Sequence, residues 1–233
     1  MLRDRPPALV SLMLANNETG ALQPVKEASE IVHAAGGVLH VDAIQAFGKI
    51  SFGINTMGID LITLSAHKIG VPRASAPWFW QRGCWGLSRC CAGGGQELGR
   101  RAGTENVAGI TGFGAAVQAA MVGLDSGTIQ LENLQNRLEK GLRGTPEMII
   151  FADSVPRLPN TTLFTVPGLK AETAVIGFDL AGVAVSSGSA CSSGKVQPLA
   201  CAGSDGIRPG IGPGSGAAQS GLVHVGSGRR SLP

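Results

Sequence analysis

The apolar positions of this chain fall into short, dense runs separated by stretches of longer period. Residues 8-ALVSLMLA-15, 38-VLHVDA-43 and 59-IDLITLSA-66 have the length and density of buried strands. Between the first two lies 24-PVKEASEIVHAAGG-37. Pro24 stands where a helix can start, Val25, Ala28, Ile31 and Val32 recur at helical spacing, and glycines stand where it would stop. Strands alternating with a helix predict an α/β fold whose mainly parallel sheet is covered on both faces.

Further along, 106-NVAGITGFGAAVQAAMVGL-124 is rich in small apolar residues and predicts a buried helix. After the break DSG, 128-TIQLENLQNRLEKGLRG-144 predicts an amphipathic helix carrying Glu132, Arg137 and Lys140. A domain boundary is expected here, with 1–127 forming a larger domain and 128–198 a smaller α+β one. The smaller domain takes strands from 147-EMIIFA-152, 161-TTLFTV-166 and 183-VAVSSG-188 and a helix from 171-AETAVIGFDLAG-182. Residues 199–233 show no periodic apolar pattern, and nine glycines in the last 33 positions predict a disordered tail.

Bulk composition narrows the class more than the activity. A chain of 233 residues with 43% hydrophobic and 15% charged residues can bury one large core or two small ones. A net charge of +3 with scattered basic residues does not argue for nucleic acid, and anionic small ligands suit it equally well. No apolar run approaches the roughly 20 residues that span a bilayer, and the N-terminal stretch lacks a signal-peptide cleavage pattern. Five irregularly spaced cysteines give no disulfide framework, so a reducing, cytoplasmic setting is the default expectation.

In an open α/β sheet, ligands bind at the carboxyl ends of the strands. Three such ends carry polar groups here: Asn16, Asn17 and Glu18, then Asp42 with Gln45, then Ser65, His67 and Lys68. Desolvation at a strand end can make an amine a nucleophile or base, and a carboxylate such as Asp42 can hold a protonated ring nitrogen. Each residue also has a plainer reading. Lys68 could be a solvated loop charge, Asp42 a helix cap, Ser65 a turn residue and His67 a structural imidazole. Their combination on one rim is what points to a site.

Six motifs carry a resemblance: ANNETG (15–20), HVDAIQAFGK (40–49), SAHK (65–68), GGGQELGRRAGTEN (93–106), RLPNT (157–161) and SSGSACSSG (187–194). In this order they resemble the NifS/IscS-like cysteine desulfurases, which are class V, fold-type I enzymes dependent on pyridoxal 5'-phosphate. The resemblance implies an incomplete large domain of that fold followed by a smaller α+β domain. It implies that Lys68 links covalently to the cofactor, that Asp42 pairs with the pyridine nitrogen and that Gln45 bonds the phenolic oxygen. Ser65 and His67 would hold the phosphate, with Thr104 reaching it from a second subunit of a homodimer. Asn17 would lie by the phenolic oxygen and the substrate carboxylate. Cys191, on a glycine- and serine-rich loop, would take the sulfur of L-cysteine as a persulfide and pass it to an acceptor scaffold protein for iron–sulfur cluster or sulfur-carrier assembly. Rival readings are an inactive remnant, a selenocysteine lyase, or another class V aminotransferase in which Cys191 is incidental.

The resemblance is interrupted in three places. It begins just before ANNETG, so the family's upstream part of the large domain is expected to be absent. Residues 71–92, VPRASAPWFWQRGCWGLSRCCA, have the family's spacing but foreign residues, including all three tryptophans. Either a pair of compensating frame changes or a divergent surface insertion accounts for such a stretch. Beyond Pro198 no position matches the family's carboxylate-binding arginine, and Arg208, Arg229 and Arg230 qualify by charge alone. Apolar surface left uncovered by absent strands is expected to make the chain poorly soluble or partly disordered.

Overall fold

A computed structural model of the chain describes residues 9–71, 78–80, 92–187 and 222–226, with the backbone alone for 78–80 and 222–226. The chain divides into two compact units. The first comprises Met1–Leu14 with Gln23–Asp125, and the second Ala15–Leu22 with Ser126–Pro233.

In the first unit, strands β1 (Leu9–Met13), β2 (Val38–Asp42) and β3 (Leu61–Thr63) lie side by side and parallel, as the apolar runs predict. Strand β4 (Trp78–Trp80) adds to β3 in the antiparallel sense. Met13 pairs with Asp42 and Asp42 with Thr63, so all three parallel strands end on the same rung. Helix α1 (Val25–Ala34) connects β1 to β2 and buries Val25, Ser29 and Val32. The sheet is not covered on both faces throughout. Leu39 and Val41 are buried while His40 and Asp42 are only half so, and on β1 Leu9 and Met13 are 52% and 42% exposed. The alternation of polar residues in VLHVD already carries that asymmetry.

Helix α2 is a single turn at Gln96–Gly99, with Glu97 and Leu98 in the left-handed region at φ of 52° and 55°. Helix α3 (Val107–Val122) starts at Asn106, whose Oδ1 accepts from the Gly109 N–H at 3.0 Å. The expectation of a buried helix needs correction among the described residues. Phe113 is its only buried residue, and Val107, Ile110, Met121 and Val122 are exposed. A helix that is apolar all round gives no clue to which side is covered. Its covered side approaches closely through small residues: a Cβ on Gly48 would meet the Ala120 methyl at 3.4 Å, and one on Gly112 would meet Val71 at 3.4 Å.

The second unit is built on an antiparallel sheet in the order β5 (Ile149–Ile150), β6 (Thr161–Thr165), β8 (Leu222–Gly226), β7 (Ser186–Ser187). Every residue of β6 is buried. Helix α4 (Leu124–Leu142) begins in the first unit and runs into the second, and α5 (Ala171–Leu180) follows β6. Two features differ from expectation. Residues 222–226 of the anticipated tail form β8, where the run LVHV supplies strand-forming residues; the other residues of 199–233 lie outside the described ones. The loop 15–22 also groups with the second unit rather than the first. The Asn16 side chain accepts from the N–H groups of Glu18 and Thr19 at 2.8 and 2.9 Å, which closes this loop as an Asx turn. It docks on 156–158, with Leu22 N–H donating to Pro156 O and Leu158 N–H to Gly20 O at 2.9 and 2.8 Å. Gly20, at φ 76°, lies where a Cβ would come within 3.0 Å of Thr161.

Candidate functional site

The strongest concentration of chemistry in the first unit lies beyond the shared rung of β2 and β3. Asp42 is the last residue of β2, and its Oδ1 accepts from the Ile44 N–H at 2.9 Å, which turns the chain out of the sheet. The backbone then coils over 43–50, with Phe47 N–H donating to Ala43 O at 2.9 Å and Ile50 N–H to Ala46 O at 3.2 Å. Gln45 and Lys49 sit on this coil. Lys49 Nζ donates to the main-chain oxygen of Gln45 at 2.8 Å and lies 3.5 Å from its side-chain oxygen Oε1.

Beyond β3 the chain extends through Leu64 and Ser65 and tightens into a 3₁₀ turn over Ala66–Ile69, stopped by Gly70 at φ 93°. Buried Ser65 shares a 2.6 Å hydrogen bond with Nδ1 of exposed His67, which aligns a hydroxyl and an imidazole side by side. Lys68 follows, half-buried. The coil and the 3₁₀ turn are in contact, since a Cβ on Gly48 would meet Ile69 at 3.0 Å. Lys49 and Lys68 are near enough to feel each other. Burial first, and then the positive charge of Lys68, push the Lys49 amine down to about 8.

Beneath the rim, His40 links three strands. Its Nδ1 meets Ser11 Oγ at 2.7 Å and its Nε2 meets Thr63 Oγ1 at 3.2 Å. Burial pushes the His40 imidazole below its ordinary pKa, partly opposed by the Asp42 carboxylate. An apolar cavity of about 260 Å³ lies alongside, lined by Phe47, Phe52, Leu64, Phe113, Val117 and Met121 among others.

Five of the eight residues expected to form the site are therefore on two touching segments: Asp42, Gln45, Ser65, His67 and Lys68. Thr104 belongs to the same unit but lies on an exposed loop, where Arg101 Nη1 donates to the Gly103 and Thr104 carbonyls at 3.1 and 2.9 Å. Asn17 is in the loop that groups with the second unit. Cys191 lies outside the described residues, as do Arg208, Arg229 and Arg230. The residue that sequence reasoning passed over is Lys49. It stands inside HVDAIQAFGK, four residues after Gln45, a spacing that brings side chains together on one side of a helical coil.

The donor set suits pyridoxal phosphate. A carboxylate at a strand end matches a protonated ring nitrogen, an amine matches an aldehyde, and a hydroxyl with an imidazole matches a phosphate. The Asp42 hydrogen bond to the Ile44 N–H engages Oδ1, which leaves Oδ2 for such a partner. Among the described residues no group of three or more His, Cys, Asp or Glu could hold a metal ion, and no single helix is long and apolar enough to cross a membrane.

The aminotransferase class-V family matches residues 2–73 and 90–216. The chain belongs to the aminotransferase class-V family. Among curated proteins it is similar to a cysteine desulfurase of Cereibacter sphaeroides, 43% identical over 82% of this chain and 49% of the relative. A cysteine desulfurase of Klebsiella pneumoniae is 41% identical over 82% of this chain and 48% of the relative. Among solved structures, a NifS-like protein of Rickettsia africae ESF-5 aligns with a TM-score of 0.79 at 34% identity, covering 96% of this chain and 57% of that one. The class V chain thus spans about half the length of the curated relatives it matches. The family match breaks between 73 and 90, inside the stretch of foreign residues, and continues to 216, past the SSGSACSSG motif. The mixed α/β architecture with a parallel sheet is that of a fold-type I fragment, and the NifS/IscS-like resemblance holds.

Proposed function

We propose that this chain carries the cofactor site of a cysteine desulfurase, which converts L-cysteine to L-alanine and protein-bound sulfur. One observation carries the reading: Asp42 shares the last rung of the parallel sheet with Thr63, and the Ser65–His67–Lys68 turn follows directly beyond it, in a chain whose curated relatives are named cysteine desulfurase. When bound, pyridoxal 5'-phosphate supplies a protonated ring that accepts the electron pair left by loss of the substrate Cα proton.

In this reading the protein's own groups divide the work. Asp42 Oδ2 holds the ring nitrogen in its protonated state, and Gln45 donates to the phenolic oxygen. The Ser65 hydroxyl and His67 imidazole, fixed to each other at 2.6 Å, bind the phosphate, joined by Thr104 from the partner of a homodimer. For Asn17, the resemblance alone suggests the phenolic oxygen and the substrate carboxylate as partners. Lys68 would hold the cofactor through its amine, and its Nζ would take the substrate Cα proton. Cys191, as thiolate, attacks the substrate sulfur. A sulfur–sulfur bond would form as the carbon–sulfur bond breaks, the electron pair of that bond passing to the substrate carbon, which takes up a proton to become the methyl group of L-alanine. The sulfur would stay on Cys191 as a persulfide for transfer to an acceptor scaffold protein in the cytoplasm. Iron–sulfur cluster or sulfur-carrier assembly is the proposed use.

A second reading, a remnant that binds cofactor without turning over, is favoured by the break in the family match at 74–89. Purified chain mixed with pyridoxal phosphate and then with L-cysteine and a reductant separates the two. The desulfurase reading expects a visible absorbance that Lys68→Ala abolishes, and sulfide release that Cys191→Ser abolishes. Cofactor absorbance without sulfide supports the remnant, and no specific cofactor absorbance overturns both.

A further inference from the structure

Lys49 has no part in the roles above, yet it is a half-buried amine inside the same cluster. Its Nζ reaches back four residues and meets both oxygens of Gln45, the main-chain one at 2.8 Å and Oε1 at 3.5 Å. An ammonium is donor-only, so it selects the oxygen end of a carboxamide and leaves the NH₂ end to face elsewhere. Gln45 has to present that NH₂ end if it is to donate to a phenolic oxygen.

We propose that Lys49 is a positioning residue for Gln45: it anchors the 43–50 coil through the Gln45 carbonyl and orients the carboxamide so that its NH₂ group is the end offered to a ligand oxygen. The inference rests on the cofactor reading for what Gln45 contacts, but not for how Gln45 is held. Lys49 acts here through hydrogen bonds rather than as a second site for the aldehyde. Its placement also explains why a lysine is tolerated beside Lys68. Two like charges in one cluster raise the energy of the folded state, and the contacts to Gln45 give this cation its own acceptors.

Two measurements test this. The first needs no cofactor. In ¹⁵N-labelled full chain, the Gln45 side-chain amide pair is assigned by its loss in Gln45→Glu and then followed in Lys49→Met and Lys49→Arg. Lys49→Met should shift that pair, and Lys49→Arg, which keeps a donor-only cation, should restore it towards its wild-type position. An unmoved pair in Lys49→Met, with backbone signals of 43–50 preserved, overturns the proposal. Should Lys49→Met lose the fold of the coil, Lys49→Arg alone decides, and a pair displaced in a folded Lys49→Arg counts against the proposal.

The second measurement titrates pyridoxal phosphate, read by its visible absorbance, into wild type, Lys49→Met, Gln45→Ala and the double variant. Lys49→Met should weaken binding about tenfold, the size of one charge-assisted contact. In the Gln45→Ala background the same change should cost nothing further, because the group it orients is gone. An equal loss in both backgrounds means that Lys49 acts by charge alone and overturns the positioning role. If wild type fails to bind the cofactor, the functional reading fails, and the amide signals still decide how Gln45 is held.

Discussion

Two charged clusters in this chain obey opposite rules. In the second unit, Glu139 is 3% exposed and its carboxylate is matched by two arginines and a hydroxyl. Arg157 Nη2 lies 2.9 and 3.0 Å from its two carboxylate oxygens, Thr162 Oγ1 donates to Oε1 at 2.9 Å, and Arg143 approaches at 3.5 Å. In the first unit, Lys49 and Lys68 share a rim where their charges repel and each residue is half-buried. The matched cluster ties α4 to β6 and holds the RLPNT segment in place. The like-charged one lowers stability where it stands, although Lys49 has the Gln45 oxygens as acceptors. Side chains that repel one another persist where a ligand can use them, so the contrast sets a cluster that holds a unit together against the one proposed to bind the cofactor.

The comparison can be broken most forcefully at Glu139. Glu139→Ala leaves Arg157 buried without its acid and should destabilise the second unit by about 3–5 kcal/mol. Urea unfolding should show it, with residues 42–68 of the first unit unaffected in their amide exchange. A loss below about 1 kcal/mol would make this a surface-like pair.

The first unit should respond to pH in a way the second does not. Lys49 has a folded-state pKa of about 8 against an ordinary 10.5, so between these values the unfolded chain binds more protons than the folded one. Stability of the first unit should therefore rise as pH climbs from about 8 to 10.5, by about 3 kcal/mol at most. Lys49→Met should flatten the rise. Lys68→Met should move the Lys49 titration upward, since it removes the second of its two causes. Amide exchange across 39–50 at several pH values would reveal both effects, and a pH-independent profile would refute them.

Smaller effects sharpen the structural side. Gly20→Ala forces a side chain into φ 76° and against Thr161 at 3.0 Å, and should cost about 1–3 kcal/mol in the second unit. A thermal melt unchanged by it would mean that the 15–22 loop does not dock as described. Ser11→Ala removes one bond to His40, and about 1 kcal/mol or less of first-unit stability should go with it, measured by the same melt.

Legibility in the sequence followed the range of the interactions. Parallel strands β1 to β3, helix α1, and the Asp42 and Ser65–Lys68 ends were readable because local patterning and a short turn place them. What partner a segment finds was not readable. ANNETG follows a first-unit strand, yet its loop groups with the second unit by docking on 156–158. Helix α3 is apolar all round, so its exposed Val107, Ile110 and Val122 had no signal to mark them. The Glu139–Arg157 pair joins residues 18 apart through tertiary packing, and Glu139 in the helix looked like any surface acid. Lys49 was in view within a recognised motif, but a lysine gains meaning only once its burial and its neighbour are known.

The most direct test asks which amine takes the aldehyde. The chain is incubated with pyridoxal phosphate, reduced with borohydride, digested and mapped by mass spectrometry. Lys49 serves as an internal rival, being a nearby amine that is pushed down to about 8. A single phosphopyridoxyl group on Lys68 is the predicted result. Label on Lys49 instead, or spread evenly over the surface lysines, would contradict the assignment of the β2–β3 rim as a cofactor site.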